Sequence, residues 1–105
     1  MAITALMTGG SGRIATMVRP LLRERGWRLR LLDVVPPREP AANEDVVVGS
    51  FLDRTVLDPA LDGVDLLVHF AAHASERPWN EILSLNIDGT RIALEAARAA
   101  GVRRV

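Results

Sequence analysis

The sequence of 105 residues contains no cysteine, no tyrosine and no lysine, and aromatic residues make up only 4% of it. The absence of cysteine excludes disulfide bonds, thiolate catalysis and cysteine-ligated zinc or iron–sulfur sites, and it fits a reducing compartment. His69 and His73 have no carboxylates near them at the spacing of a zinc-ligand set. We therefore predict no metal site.

Net charge of one sign is also lacking, because 13 arginine side chains balance 13 acidic ones. A balanced chain has no net basic field to attract phosphate backbones or anionic lipids, so we expect neither a nucleic acid nor a membrane partner. No run approaches the roughly 18 apolar residues of a membrane span, and the N-terminal residues lack the pattern of a signal peptide. We expect a cytoplasmic protein.

Apolar runs alternate along the chain with segments of helical periodicity. Short buried runs predict strands at residues 2–8, 28–33, 46–48 and 64–72. Helical spacing predicts helices at residues 12–25, 53–61 and 78–100. Strands that alternate with helices predict an α/β fold, in which a parallel sheet carries helices on both faces.

Two of the predicted helices contain a proline, which removes a backbone donor. We expect a kink at Pro20 or a break near Arg19 in the first helix, and an interruption or restart at Pro59 in the second. Arg19 falls on the charged side of the first helix. The opposite, apolar side of that helix is made of Ile14, Met17, Val18, Leu21 and Leu22.

A glycine-rich segment follows the first predicted strand, where residues 8–15 read TGGSGRIA. Gly9 allows a tight turn, Gly12 lets the backbone approach a pyrophosphate at the helix N-terminus, and Ala15 lets the helix pack on the strand. A plain turn between strand and helix is the alternative interpretation of the glycines alone. A phosphate loop of the nucleoside triphosphatase type is excluded, because no Gly-Lys-Ser/Thr follows.

Asp33 ends the second predicted strand, about 20 residues beyond the glycines, where a carboxylate accepts hydrogen bonds from both ribose hydroxyls of a dinucleotide. The same negative charge repels a 2′-phosphate, which favours NAD over NADP as the cofactor. Arg38, in the following proline-rich loop, weakens that preference if it folds back toward the ribose.

Four segments in order resemble the extended short-chain dehydrogenase/reductases, the NAD-dependent epimerase/dehydratase group that acts on sugars and sugar nucleotides. They are residues 8–15, Asp33, HFAA at 69–72 and NIDGTRIALEAA at 86–97. Residues 31–36 and 68–98 most resemble uronate dehydrogenases. The resemblance covers essentially the whole chain and implies a Rossmann-type fold with NAD as cofactor.

The resemblance also implies roles for individual residues. The pyrophosphate would be held by Gly9, Gly12 and the amides near Arg13 and Ile14, and the adenosine ribose by Asp33. The adenine would lie against Ser50 and Phe51, where many members have Asp-Leu. The nicotinamide ribose would be lined by Ala71, Ala72 and His73, and the alternative interpretation of His73 is a residue on a solvent-exposed loop.

Ser75 would approach a sugar substrate, although uronate dehydrogenases have their serine about one residue earlier, where this chain has Ala74. Asn86 would order the active-site backbone and a water, and its alternative interpretation is a buried amide satisfied by the next strand. For His69 we predict a hydrogen-bonded histidine near the end of a strand.

The catalytic residues of the resembled family are a Ser or Thr after the fifth strand and a Tyr-x-x-x-Lys on the next helix. In that pair the lysine lowers the tyrosine pKa, so that the tyrosine takes the substrate proton during hydride transfer. This chain has no tyrosine and no lysine, so we predict no catalytic residue in it.

Residues 102–105 resemble the beginning of a fifth strand, and a parallel sheet with an unfinished edge exposes unpaired backbone groups. We therefore expect residues 1–105 to be the N-terminal half of an NAD(P)-binding Rossmann domain from a longer oxidoreductase or epimerase that acts on a sugar or uronic acid. The alternative is a non-catalytic dinucleotide-binding or interaction module. An apolar stripe of Leu83, Ile87 and Leu94 predicts either a homodimer through residues 78–100 or burial under further chain.

Overall fold

The computed structural model describes residues 2–105, in which strands and helices alternate in the predicted order. The strands are β1 Thr4–Thr8, β2 Arg28–Asp33, β3 Glu44–Val48 and β4 Leu66–His69. The helices are α1 Arg13–Glu24, α2 Arg54–Ala60, α3 Trp79–Ile82 and α4 Gly89–Ala99. A π-helical segment, Leu83–Asp88, joins α3 to α4.

The four strands form one parallel sheet in the order β3-β2-β1-β4. All four carboxyl ends therefore lie at the same edge, which is the edge where ligands bind in sheets of this kind. The strand expected at residues 102–105 is a single parallel bridge between Leu66 and Arg104. The amide of Leu67 donates to the carbonyl of Arg104 at 3.0 Å.

Each face of the sheet has its own apolar core, because successive side chains along a strand point to opposite faces. On one face Leu6, Leu32 and Leu67 are buried with apolar residues of α2 and α4. On the other face Met7 and Leu31 are buried with Ala15 of α1. The predicted parallel α/β fold with helices on both faces is confirmed.

Helix α1 differs from its prediction in two respects. It runs unbroken through Pro20, so the expected break is wrong; Pro20 is exposed, and the helix continues around the one missing donor. The predicted buried face is also wrong in part, because Met17 is 69% exposed whereas Arg19 is only 4% exposed. Ile14 and Leu21 are likewise exposed.

Arg19 is buried because it forms a bidentate ion pair with Glu44, at the start of β3. Its Nε and Nη2 atoms donate to the two carboxylate oxygens of Glu44, each at 2.8 Å. Arg23 adds a third bond to this carboxylate at 3.1 Å, and the amide of Ala41 adds a fourth at 2.8 Å. The bond to Arg19 is the main cause that lowers the pKa of Glu44 to about 2.

The segment predicted as one helix over residues 78–100 is divided into α3, the π-helical segment and α4, so the prediction of a single regular helix is wrong. The hydroxyl of Thr90 donates to the carbonyl of Asn86 at 2.6 Å, which competes with a regular helical bond at that carbonyl. The expected interruption of α2 is also wrong, because that helix contains Pro59 and continues to Ala60. Across residues 2–105, no helix is both long enough and apolar enough to cross a membrane.

Candidate active-site cleft

The loops at the carboxyl edge of the sheet enclose a cavity of about 350 Å³. Residues at or just after the end of each strand line this cavity, because all four strands end at the same edge. The wall includes the following residues of the site predicted from the sequence: Gly9, Gly12, Arg13, Ile14, Asp33, Ser50, Phe51, Ala71 and Ala72. It also includes Leu32, Val34, Gly49, Phe70, Ala74 and Leu85.

The glycine-rich turn brings the start of α1 against the end of β4. Gly9 has a φ of +67°, and a Cβ placed on it would lie 2.9 Å from the amide nitrogen of Ala71, so only glycine fits. The amide of Gly12 donates to the carbonyl of Gly9 at 2.9 Å and closes the turn. Gly12 is the N-cap residue of α1 and has no side chain with which to cap it.

The first amides of α1 therefore point out of the helix without helical acceptors, at the positive end of the helix dipole. Such an end binds the oxygens of a phosphate or pyrophosphate. Since Gly12, Arg13 and Ile14 line the cavity, this anion-binding position opens directly into it. The turn thus fits a pyrophosphate, because the first amides of α1 carry partial positive charge and the glycines leave room for the ligand.

Asp33 lies at the end of β2, in the cavity wall, and both of its carboxylate oxygens are held by backbone amides. The amide of Ser11 donates to Oδ2 at 3.1 Å, and the amide of Val35 donates to Oδ1 at 3.3 Å. Each oxygen keeps a further lone pair, since a carboxylate offers about four acceptor positions. This arrangement can accept hydrogen bonds from two neighbouring hydroxyl groups.

The end of β4 is fixed to the end of β1 through Thr8. Its hydroxyl accepts from the amide of Ala71 at 3.2 Å and shares a 2.7 Å hydrogen bond with Nδ1 of His69. The prediction of a hydrogen-bonded His69 is confirmed. Burial lowers the pKa of His69, because desolvation disfavours the charged ring.

Ser50 and Phe51 follow β3 and contribute to the wall in different ways. The hydroxyl of Ser50 accepts from the amide of Leu52 at 3.2 Å, and so its hydrogen is free to donate. Phe51 is only 6% exposed because it belongs to the apolar core under α2 and α4, and its ring packs edge to face on His69 with centroids 4.9 Å apart. A Cβ at Gly89 would lie 2.8 Å from this ring, which explains a glycine inside the helical segment.

His73 and Ser75 are placed differently from the other predicted site residues. Within the part of the chain that the structure describes, His73 lines a neighbouring cavity with Arg77 and Ser84 rather than the cavity at the carboxyl edge of the sheet. Ser75 is exposed, and Ala74 lies in the wall of the carboxyl-edge cavity.

Asn86 is part-buried and makes two bonds with the backbone of His73. Its Oδ1 atom accepts from the amide of His73 at 2.8 Å, and its Nδ2 atom donates to the carbonyl of the same residue at 3.1 Å. Asn86 therefore fixes the loop after β4, and its role at the active site stays a prediction.

Sequence reasoning assigned no site role to Ser11 and Thr8, although both lie in the glycine-rich segment that it identified. Their side chains bond to residues more than 20 positions away, as the contacts of Ser11 with Val35 and of Thr8 with His69 show. A local pattern contains no signal for such partners. Leu85 and Phe70 were likewise unassigned, since apolar wall residues look like core residues in a sequence.

A parallel sheet in this strand order, with a glycine turn and a carboxylate at its carboxyl edge, defines a Rossmann-type nucleotide-binding domain. The sequence matches the NAD dependent epimerase/dehydratase family over residues 5–105, and the chain belongs to this family.

The chain is similar to uronate dehydrogenase from Pseudomonas syringae pv. tomato, with 38% identity over 102 residues, covering 95% of this chain and 37% of that protein. A solved structure of a mutated uronate dehydrogenase matches with a TM-score of 0.88 at 34% identity, covering 100% of this chain and 38% of that one. An Agrobacterium tumefaciens uronate dehydrogenase mutant complexed with NAD matches with a TM-score of 0.84 at 31% identity, covering 96% and 38%.

The predicted similarity to uronate dehydrogenases is thus confirmed, and the chain spans 37% of the length of the curated relative from Pseudomonas. Family membership and the NAD-bound neighbour support NAD as the cofactor. These relatives support an NAD-binding oxidoreductase domain.

Proposed function

We propose that residues 1–105 form the N-terminal half of an NAD-binding domain and bind NAD in the cavity at the carboxyl edge of the sheet. In the longer enzyme, the substrate is a sugar or a uronic acid that is oxidised at a carbinol carbon. NAD supplies the hydride acceptor for that reaction. One observation carries the proposal. The glycine-rich turn before α1 and the Asp33 carboxylate, which accepts from two backbone amides, line the same cavity.

The glycine-rich turn and Asp33 bind different parts of the dinucleotide in this proposal. The amides near Arg13 and Ile14, with Gly9 and Gly12, take the pyrophosphate, because they offer donors at the positive end of α1. Asp33 takes the two hydroxyls of the adenosine ribose and disfavours a 2′-phosphate by charge repulsion.

The adenine lies beside Ser50 and Phe51, and the nicotinamide ribose lies beside Ala71 and Ala72. Contact of His73 with the nicotinamide ribose stays a prediction, and its two backbone bonds to Asn86 fix the loop on that side. Contact of Ser75 with the sugar remains a prediction.

The second candidate function is a non-catalytic dinucleotide-binding module, and the absence of tyrosine and lysine from the 105 residues favours it for this chain taken alone. Both candidates predict NAD binding, but only the oxidoreductase needs further residues to supply the proton acceptor. Mixing this chain with NAD and a uronate should therefore form no NADH, measured by absorbance. Turnover by these residues alone would contradict the assignment of the catalytic groups to another segment.

Asp33→Asn tests the proposal directly. We expect the dissociation constant for NAD, measured by titration calorimetry, to rise about tenfold, because hydrogen bonds to a charged group contribute about 1.5–3 kcal/mol. Asp45→Asn is the matched control, since Asp45 is an exposed carboxylate on β3 outside the cavity wall. Equal affinities of the wild type and the Asp33 variant would contradict the proposed ribose site.

A further inference from the structure

Ser11 is bonded both to Asp33 and to the residue that holds the other side of Asp33. Its amide donates to Oδ2 of Asp33 at 3.1 Å, and the amide of Val35 donates to Oδ1 at 3.3 Å. The hydroxyl of Ser11 donates to the carbonyl of Val35 and closes the ring. The glycine-rich turn and the loop after β2 are therefore joined around the carboxylate.

This ring restricts rotation of the carboxylate, because each oxygen is held by a different amide and the two amide-bearing residues are tied together. Each oxygen keeps a further acceptor position, and Asp33 lies in the wall of the cavity. A pair of neighbouring hydroxyls, such as those of a ribose, satisfies both positions at once.

The loop beyond Val35 is fastened at further points along its length. Pro37 is buried, the Nη2 atom of Arg19 donates to the carbonyl of Arg38 at 3.4 Å, and the amide of Ala41 donates to Glu44 at 2.8 Å. The backbone at Arg38 is thus held to α1. The bond from the Ser11 hydroxyl to the carbonyl of Val35 adds one more attachment of this loop.

We propose that Ser11 is a positioning residue that sets cofactor selectivity: its hydroxyl, through Val35, keeps the Asp33 carboxylate directed at a free 2′-hydroxyl, where its charge repels a 2′-phosphate. This inference rests on the proposed NAD site. It gives the Ser11 hydroxyl an effect on which ribose the site binds, and this effect is distinct from the contacts of the turn with the pyrophosphate.

The test compares ADP-ribose with its 2′-phosphorylated form, because both ligands lack the nicotinamide and report only on the adenosine half of the site. We expect Ser11→Ala to weaken ADP-ribose binding about threefold to tenfold, the equivalent of one hydrogen bond. Binding of the 2′-phosphorylated form should change less, because a released Asp33 repels the phosphate less. The ratio, which is the dissociation constant of the 2′-phosphorylated form divided by that of ADP-ribose, therefore falls.

Three further variants separate selectivity from folding. Ser11→Thr keeps a hydroxyl and should restore the wild-type ratio. Thr55→Ala removes a hydroxyl bonded to Asp53 on α2, outside the cavity wall, and should leave the ratio unchanged. In an Asp33→Asn background, Ser11→Ala should no longer alter the ratio, because the hydroxyl acts through that carboxylate.

A ratio that stays constant in Ser11→Ala overturns the inference, whether both ligands weaken equally or neither changes. An altered ratio that persists in the Asp33→Asn background also overturns it. If the wild type binds neither ligand, the proposed NAD site itself is wrong and the inference falls with it. If the wild type binds ADP-ribose and only the Ser11 effect is missing, the NAD site stands without the selectivity role.

Discussion

At the scale of single residues, the strongest electrostatic feature lies outside the cavity. Glu44 is a buried carboxylate that accepts from Arg19, Arg23 and the amide of Ala41. It ties α1 to the outer strand of the sheet and fixes the end of the loop that follows Asp33. A buried pair of this kind is costly to break from one side, because the remaining charge stays buried without a partner.

Glu44→Gln should lower the free energy of unfolding by about 3 kcal/mol, because it leaves Arg19 buried without its counter-charge. The effect should depend on pH, since the pKa of Glu44 falls from an ordinary 4.5 to about 2 on folding. A lowered carboxyl pKa adds stability that is complete above pH 4.5 and is lost as the pH falls toward 2.

Chemical denaturation at a series of pH values measures both effects. The difference between wild type and Glu44→Gln should shrink steadily below pH 4.5, and Asp45→Asn, which changes an exposed carboxylate one residue away, should show no such trend. A difference that is independent of pH would show that the ionised form of Glu44 is not what stabilises the fold.

At the scale of elements, the site depends on how closely the turn before α1 approaches the end of β4. Gly9 and Gly26 both have positive φ values, of +67° and +79°. A Cβ on Gly9 meets the backbone of Ala71, whereas a Cβ on Gly26 has nothing within 4 Å. Substitution of Gly26 therefore tests backbone strain alone, whereas substitution of Gly9 tests backbone strain together with close packing.

Gly26→Ala should cost about 1–2 kcal/mol of stability, the penalty of a left-handed conformation for alanine. Gly9→Ala should cost about 1–3 kcal/mol more, because the turn must also move away from β4. Thermal unfolding measures the stabilities, and ADP-ribose titration should detect weaker binding only in Gly9→Ala. Equal losses in both variants would mean that the contact with Ala71 is not tight in solution.

The elements also show where sequence patterns succeed. Strand β2 spans the predicted residues, and the glycine turn lies where TGGSGRIA indicates, because both signals are local. The buried face of α1 was mispredicted, because Arg19 is buried only when Glu44, 25 positions away, is beside it. The π-helical segment was missed for a different reason, because apolar periodicity carries no signal for the bond from the Thr90 hydroxyl to the carbonyl of Asn86.

At the scale of the whole molecule, one apolar stripe faces outward from the long helical segment. Leu83, Ile87 and Leu94 are 38%, 49% and 46% exposed. Such a stripe favours association when it is continuous. The homodimer through residues 78–100 remains a prediction, and burial of the stripe by further chain is still its alternative.

Ile87→Asp tests that prediction in sedimentation experiments at several protein concentrations. If residues 78–100 form a homodimer, a charge in the middle of the stripe should raise the dissociation constant of the dimer at least roughly tenfold. Met17→Asp is the control, because Met17 is also an exposed apolar residue but lies on α1. A wild-type chain that is monomeric at all concentrations would contradict the homodimer.

The sequence by itself determined the order of strands and helices, the parallel α/β class and the position of the glycine turn and of Asp33. These features depend on residue periodicity, on glycine conformations and on spacing, all of which are local properties of the chain. Only the tertiary structure decided that Ser11 and Val35 hold Asp33 from both sides, that Arg19 is buried on Glu44 and that Asn86 fixes the backbone of His73. Those bonds join distant residues, and only the packing of helices on the sheet brings their partners within hydrogen-bonding distance.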